Sequence, residues 1–135
     1  MKRFLDSSVL VESCLQASPK FANADALVNG ADAGTSAHAL AEAYATLSGD
    51  VRLKIAPADA AAMVEDLAKT LEVRALNAAD YQRLIGSAPA KGIRGGSIYD
   101  ALHAQTARLC GCPEIHTLNV AHFKHVAPDL VIRGL

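Results

Sequence analysis

Short apolar runs alternate along this chain with longer stretches whose apolar residues recur at helical spacing, and that alternation restricts the fold more than any other feature. Residues 2–6 (Lys2-Arg3-Phe4-Leu5-Asp6), 35–37, 73–76, 114–118 and 130–132 read as strands. Between them lie segments such as residues 57–71, where Ala61, Val64, Leu67, Ala68 and Leu71 share one helical face. Strands separated by helix-length segments do not pair as hairpins. They build βα units, whose strands run parallel in one sheet.

Local punctuation fits this reading. Ser7 or Ser8 can cap a helix that begins at Val9, and residues 21–28 carry a second helical pattern ended by Asn29-Gly30. Residues 40–47 form a strong helix stopped by Ser48-Gly49-Asp50, and Pro57 opens the next at a favoured early position. Asn77 can cap a helix through Leu84, residues 86–96 are the most breaker-rich loop, and Ser97 caps a helix over residues 98–109. No repeat or linker interrupts the 135 residues, a length that suits a single hydrophobic core. The expectation is one α/β domain over residues 1–135, with a central, mainly parallel sheet flanked by helices.

Composition excludes several functions. A net charge of −1 argues against holding nucleic acid by bulk electrostatics. With 4% aromatics and no Trp, a broad base-stacking platform is not expected. No apolar run approaches the roughly 20 residues that span a bilayer, and Asp6, Ser7, Ser8 and Glu12 cut the first apolar segment before it could serve as a secretory core. A cytoplasmic protein without membrane contact is expected. Its three cysteines are an odd number, and Cys110 and Cys112 are too close to bridge without strain, so reduced thiols are expected.

Three acids stand out because each interrupts apolar company: Asp6 after Phe4-Leu5, Glu42 within Leu40-Ala41-Glu42-Ala43, and Asp100 within Ile98-Tyr99-Asp100-Ala101-Leu102. Each has an ordinary explanation. Asp6 can cap a helix, Glu42 can be a solvated helix residue, and Asp100 can complement a helix N-terminus. Asn119, after the strand Ile115-His116-Thr117-Leu118, can be a turn residue. One shared site accounts for all of them more economically, since carboxylates in apolar surroundings need a partner. In open parallel sheets such a site lies beyond the carboxyl ends of the strands. Oxygen-only donors suit a hard cation, Mg²⁺ or Mn²⁺.

Asp6-Ser7-Ser8 after a first strand, Leu40-Ala41-Glu42 early in a helix, Tyr99-Asp100-Ala101 after a glycine-rich loop, and Thr117-Leu118-Asn119-Val120-Ala121-His122-Phe123 together resemble the PIN domain, and within it the VapC toxin ribonucleases of toxin–antitoxin pairs. The resemblance spans essentially the whole chain. It implies a metal-dependent endoribonuclease that acts on RNA, forms a homodimer and is held inactive by an antitoxin protein. Asp6, Glu42 and Asp100 match the family's acidic ligands, and Ser8 and Thr117 match small polar positions that steady the site. Asn119 departs from the Asp found in many members, which implies one firmly held ion at Asp6 and a second that arrives with the substrate phosphate. The implied chemistry is hydrolysis by a metal-activated water, with Asp6 and Asp100 as principal ligands and Glu42 as ligand or water-orienting base.

Other residues carry weaker signals. Lys91 and Arg94, in the loop before Asp100, are candidate phosphate contacts, or else ordinary surface charge; Arg52 and Lys54 are weaker candidates of the same kind. His103, one helical turn after Asp100, could face the site but reads more readily as a partly buried helix residue, and His122 and His125 read as part of a surface turn. A zinc site from His103, Cys110, Cys112 and His116 is disfavoured by its tight cysteine spacing. A phosphotransferase with Asp6 as nucleophile would want a second Asp where Ser8 stands, and a response-regulator receiver would need an acidic pair and a late lysine. The non-catalytic alternative is a PIN module that only binds RNA or a partner protein.

Overall fold

In the computed structural model, which describes residues 1–135, strand β1 (Arg3–Leu5) sets the frame. Successive strand side chains point to opposite faces, and here Phe4 and Leu5 are both fully buried. Phe4 packs with Ala101, Ala104, Ala107, Ile115 and Phe123, while Leu5 packs on the other face with Val9, Leu10, Ala39, Ala43 and Leu67. Each such burial contributes about 1.5–3 kcal/mol. Helices must therefore cover both sides of this strand.

The chain continues through α1 (Ser7–Glu12), α2 (Phe21–Val28), β2 (Ala33–Ser36), α3 (Ala37–Gly49), α4 (Pro57–Thr70), β3 (Glu72–Arg74), α5 (Ala78–Ser87), α6 (Ser97–Leu109), β4 (Glu114–His116), α7 (Val120–Val126) and β5 (Val131–Arg133). All pairings are parallel, in the order β3-β2-β1-β4-β5. From β1 the chain moves outward through β2 to β3, then returns to lay β4 on the other side of β1. Strand order thus reverses at the β1–β4 seam, where a crevice opens beyond the carboxyl ends of the strands. Leu5 lies opposite His116, so Asp6 and Thr117 leave the sheet side by side at that crevice.

Several element ends differ from the sequence reading, for local reasons. Of the three caps the sequence offers for α1, Asp6 is the one used, not Ser7 or Ser8: its backbone is extended and its carboxylate accepts from the N–H groups of Ser8 and Val9. Strand β2 begins at Ala33 because Gly34 admits a close neighbour; a Cβ there would stand 2.8 Å from the Glu72 carbonyl oxygen. Helix α3 begins at Ala37, since Ser36 accepts from the Ala39 N–H at 2.9 Å. Ser97 is the first residue of α6, not its cap; its hydroxyl bridges the backbone of Arg94, and the turn before it passes through Gly95 at φ 58°. His122 and His125 lie on helix α7, not in a surface turn. Asn77 caps α5 in a reciprocal box with Asp80. No helix is long and apolar enough to cross a membrane.

Candidate active site

Asp6 is 2% exposed, and its lost hydration is replaced by hydrogen bonds from two directions. Oδ1 accepts from the Ser8 N–H at 2.7 Å and the Ser8 hydroxyl at 2.5 Å, while Oδ2 accepts from the Thr117 hydroxyl at 2.6 Å. Those hydroxyls are themselves held. Ser8 Oγ accepts from the Leu118 N–H at 3.0 Å, and Thr117 Oγ1 accepts from the Asn119 N–H at 2.9 Å. The end of β4 and the start of α1 are thereby tied together through one carboxylate. Oδ2, with its single bond, keeps a lone pair.

Glu42 reaches the crevice from α3 and meets α6. Its Oε1 lies 2.5 Å from Nε2 of His103, a residue that is 1% exposed and packed beside Phe4 and Phe123. On the far side of that ring, Nδ1 is 2.9 Å from Ser36 Oγ. An ionised Glu42 can only accept, so Nε2–H donates to it; in the neutral imidazole Nδ1 then accepts from the Ser36 hydroxyl, whose oxygen also accepts the Ala39 N–H. Burial pushes the Glu42 carboxyl up, but the His103 hydrogen bond, with the nearby imidazoles of His103 and His38, outweighs it and holds the group below its ordinary value. The sequence reading of His103 as a partly buried helix residue missed this contact, because its partner is 61 residues away.

Asp100, in the first turn of α6, is treated differently. Burial raises its pKa, and the charges of Asp6 and Glu42 raise it further, against the opposing influence of His103 and His122. No hydrogen bond holds it; the imidazole Nδ1 of His122 lies 3.8 Å away. Asp100 and Glu42 share the wall of an open cavity of about 530 Å³ with Tyr99, His122 and His125. A larger hollow of about 660 Å³ lies over Arg3, Glu114, His116 and Arg133. Its charges satisfy one another, Glu114 pairing with His116 and Arg133 at 2.9 Å each and with Arg3 at 3.6 Å. Unsatisfied charge lies in the first cavity, not the larger one.

The remaining candidates sit apart from that cavity. Asn119 is exposed, opens α7 through its backbone and makes no side-chain cap. Lys91 faces a second cleft of about 280 Å³ with Asp80, Arg83 and Arg108, and Arg94 is exposed, so neither lines the carboxylate cavity. Arg52 is paired with Asp50 at 2.9 Å.

No three His, Cys, Asp or Glu side chains converge as a ready-made ion cage. Ser8 and Thr117 draw Asp6 back, and His103 draws Glu42 aside. The carboxylates nevertheless fit a hard divalent cation: Asp6 keeps a free lone pair, and Asp100 has no hydrogen bond and is pushed up chiefly by burial, although the imidazoles of His122 and His125 share its cavity wall. Asp100 and Glu42 line the open cavity and the buried Asp6 does not, so water would be needed to complete any coordination shell.

The PIN domain family model matches residues 3–128. No curated protein matches the chain in sequence. Among solved structures, VapBC2 of Rickettsia felis, bound to a DNA fragment from its promoter, superposes with a TM-score of 0.69 at 20% identity, covering 100% of this chain and 99% of that one. Mycobacterium tuberculosis VapC20, a toxin that cleaves the sarcin–ricin loop, gives 0.68 at 19% identity over 84% of this chain and 86% of its own. VapBC-1 of nontypeable Haemophilus influenzae gives 0.67 at 17% identity, covering 99% and 98%. At these identities the likeness establishes the fold.

Proposed function

Because this chain belongs to the PIN domain family, we propose that it is a divalent-metal-dependent endoribonuclease, the toxin of a VapC-type toxin–antitoxin pair. The observation that carries the reading is the position of Asp100, an acid in the wall of an open cavity with Glu42 that no hydrogen bond holds; burial pushes its carboxyl up most, and Asp6 and Glu42 add to this against His103 and His122. Carboxylates held near one another are mutually destabilising, and a positive ligand at Asp100 would relieve that. Asp6 and Asp100 would hold Mg²⁺ or Mn²⁺. When bound, such an ion supplies an acidified water and polarises a scissile phosphate.

The chain's own groups do the rest. Ser8 and Thr117 fix the rotamer of Asp6, so one oxygen keeps its aim. His103 holds Glu42 Oε1, leaving Oε2 as an oriented acceptor for the proton of an attacking water. Attack by water breaks the bond to the departing ribose oxygen, and no protein nucleophile is needed.

Likeness to the VapBC structures supports an antitoxin protein as partner; activity in the cytoplasm is part of the same proposal. A homodimer is proposed as well, for which light scattering of the purified chain is the check. The decisive assay is RNA cleavage with Mg²⁺ or Mn²⁺, with and without EDTA, for the wild type, Asp6→Asn and Asp100→Asn. Cleavage only by the metal-loaded wild type is expected. Retained cleavage in either variant sinks the assignment. Toxicity relieved by the product of a neighbouring small reading frame tests the partner.

One observation favours a second reading, a PIN module that binds RNA or protein without cutting: no three ligands converge. Calorimetric titration with Mg²⁺ and Mn²⁺ separates the two, and an absence of binding heat favours the module.

A further inference from the structure

We propose that Tyr99, backed by His38, forms the floor of a nucleobase subsite beside the reacting carboxylates, taking one base of single-stranded RNA next to the scissile phosphate; this rests on the ribonuclease reading above.

Tyr99 is 48% exposed and immediately precedes Asp100 on α6. An exposed aromatic alone needs no explanation, but this one is pinned. The His38 ring, from α3, lies nearly parallel to it, with centroids 5.3 Å apart and 17° between planes. His38 is placed in turn by Glu42, whose Oε1 is 3.6 Å from its Nε2. Tyr99 lines the carboxylate cavity and His38 does not. One face of the phenol ring therefore rests on His38, and the ring itself fronts the cavity. A side chain already immobilised loses little conformational freedom when a base stacks on it.

The rest of the cavity points to the same ligand class. Its volume of about 530 Å³ leaves room for a planar heterocycle, and α7 supplies His122 and His125 as further walls. No Lys or Arg lines it, so no permanent cation there holds a phosphate. Stacking can, because every base presents a π-face. Exposed aromatics are scarce in a chain with three Phe, three Tyr and no Trp, and Phe4 and Phe123 are spent in the core. The expectation that this composition disfavours a stacking platform is narrowed accordingly: one base is held, not a row of them.

The test uses the full chain in EDTA with five-nucleotide single-stranded RNAs carrying the fluorescent base 2-aminopurine at each position in turn. Quenching at a single position, next to the bond cut when Mg²⁺ or Mn²⁺ is added, is expected from the wild type. Tyr99→Leu should weaken binding by about tenfold and lose the quench, whereas Tyr99→Phe should stay within about twofold. Thermal melts show that both variants fold, and the position scan on the wild type needs no variant at all. Quenching that is uniform or absent while the wild type binds and cleaves overturns the subsite alone, as does Tyr99→Leu behaving like the wild type. A wild type that neither binds nor cleaves RNA overturns the subsite and the ribonuclease reading together.

Discussion

Asp6 and Asp100 are both acids set among apolar neighbours at the same crevice, and their surroundings treat them in opposite ways. Asp6 receives hydrogen bonds from the Ser8 backbone and hydroxyl and from Thr117, and it also caps α1. Asp100 receives none, and it bears the repulsion of Asp6 and Glu42 in addition to its own partial burial. Hydrogen bonds replace the water that Asp6 gave up on folding; nothing in the chain does so for Asp100. One carboxylate is built into the fold as well as into the site. The other is left for something the polypeptide does not contain.

That contrast is sharpest in paired substitutions. Asp6→Asn and Asp100→Asn should each lower cleavage by roughly a thousandfold or more, since each removes an anionic ligand. Their stabilities should part. Asp6→Asn turns an amide toward one of its hydroxyl donors and weakens charge-assisted bonds, for a loss of about 1–3 kcal/mol. Asp100→Asn breaks no hydrogen bond and relieves repulsion, so the metal-free protein should melt roughly 2–5 °C higher. Calorimetry in EDTA measures both, and an Asp100→Asn protein that melts earlier would erase the contrast.

Acid titration adds the sign. The folded pKa of Asp100 is raised above its unfolded value, so its contribution to stability is fully present below the ordinary carboxylate pKa and is lost as pH rises through the folded value. The gap between Asp100→Asn and wild type in EDTA should therefore be near zero in acid and open as pH rises toward neutrality. Cleavage should fail on acidification at a higher pH than an ordinary Asp would give, because protons compete for a group that holds them tightly. A melting gap independent of pH would count against burial and repulsion as its source.

A smaller effect is expected from the groups that hold Asp6. Thr117→Val keeps the shape of the side chain, but Oδ2 loses its donor and the Asn119 N–H its acceptor. A loss of about 1–3 kcal/mol is expected in urea unfolding, with cleavage reduced about tenfold because Asp6 is no longer fixed. Ser8→Ala should cost less, about 0.5–1.5 kcal/mol, since the Ser8 N–H still reaches Oδ1 and the residue that loses its bond, Leu118, is exposed. If Ser8→Ala were the more damaging, the clamp would depend on α1 rather than on β4.

The same asymmetry explains what could be read in advance. Parallel βα architecture was legible because alternation of apolar runs and helical faces is local, and Asp6, Glu42 and Asp100 were conspicuous because an acid in apolar company is locally wrong. Strand order was not legible; it depends on which edge of β1 receives β4, a choice made by packing on both faces of Phe4 and Leu5. Nor was the Ser36–His103–Glu42 chain, whose members come from β2, α6 and α3. Lys91 and Arg94 were near Asp100 in sequence but do not line its cavity; they lie in the loop before α6, whereas Asp100 is held on the helix itself. Proximity along a chain predicts a shared site only within one regular element.

Glu42 lies between the two extremes, and Glu42→Gln should give the smallest change in stability. It has one strong hydrogen bond, donated by His103 Nε2–H, and a glutamine carbonyl oxygen can accept that proton in the same place. Stability should shift by less than about 1 kcal/mol. The substitution also removes a negative charge that acts on Asp100, though a weaker influence than burial or Asp6. The Asp100 titration midpoint, followed by carbon NMR of its carboxyl group in EDTA, should move slightly down toward the ordinary value. A large drop in stability would mean that the ring donates as an imidazolium and needs a full counter-charge. An unmoved Asp100 midpoint would mean that the two carboxylates do not share one site, and that Glu42 belongs with His103 alone.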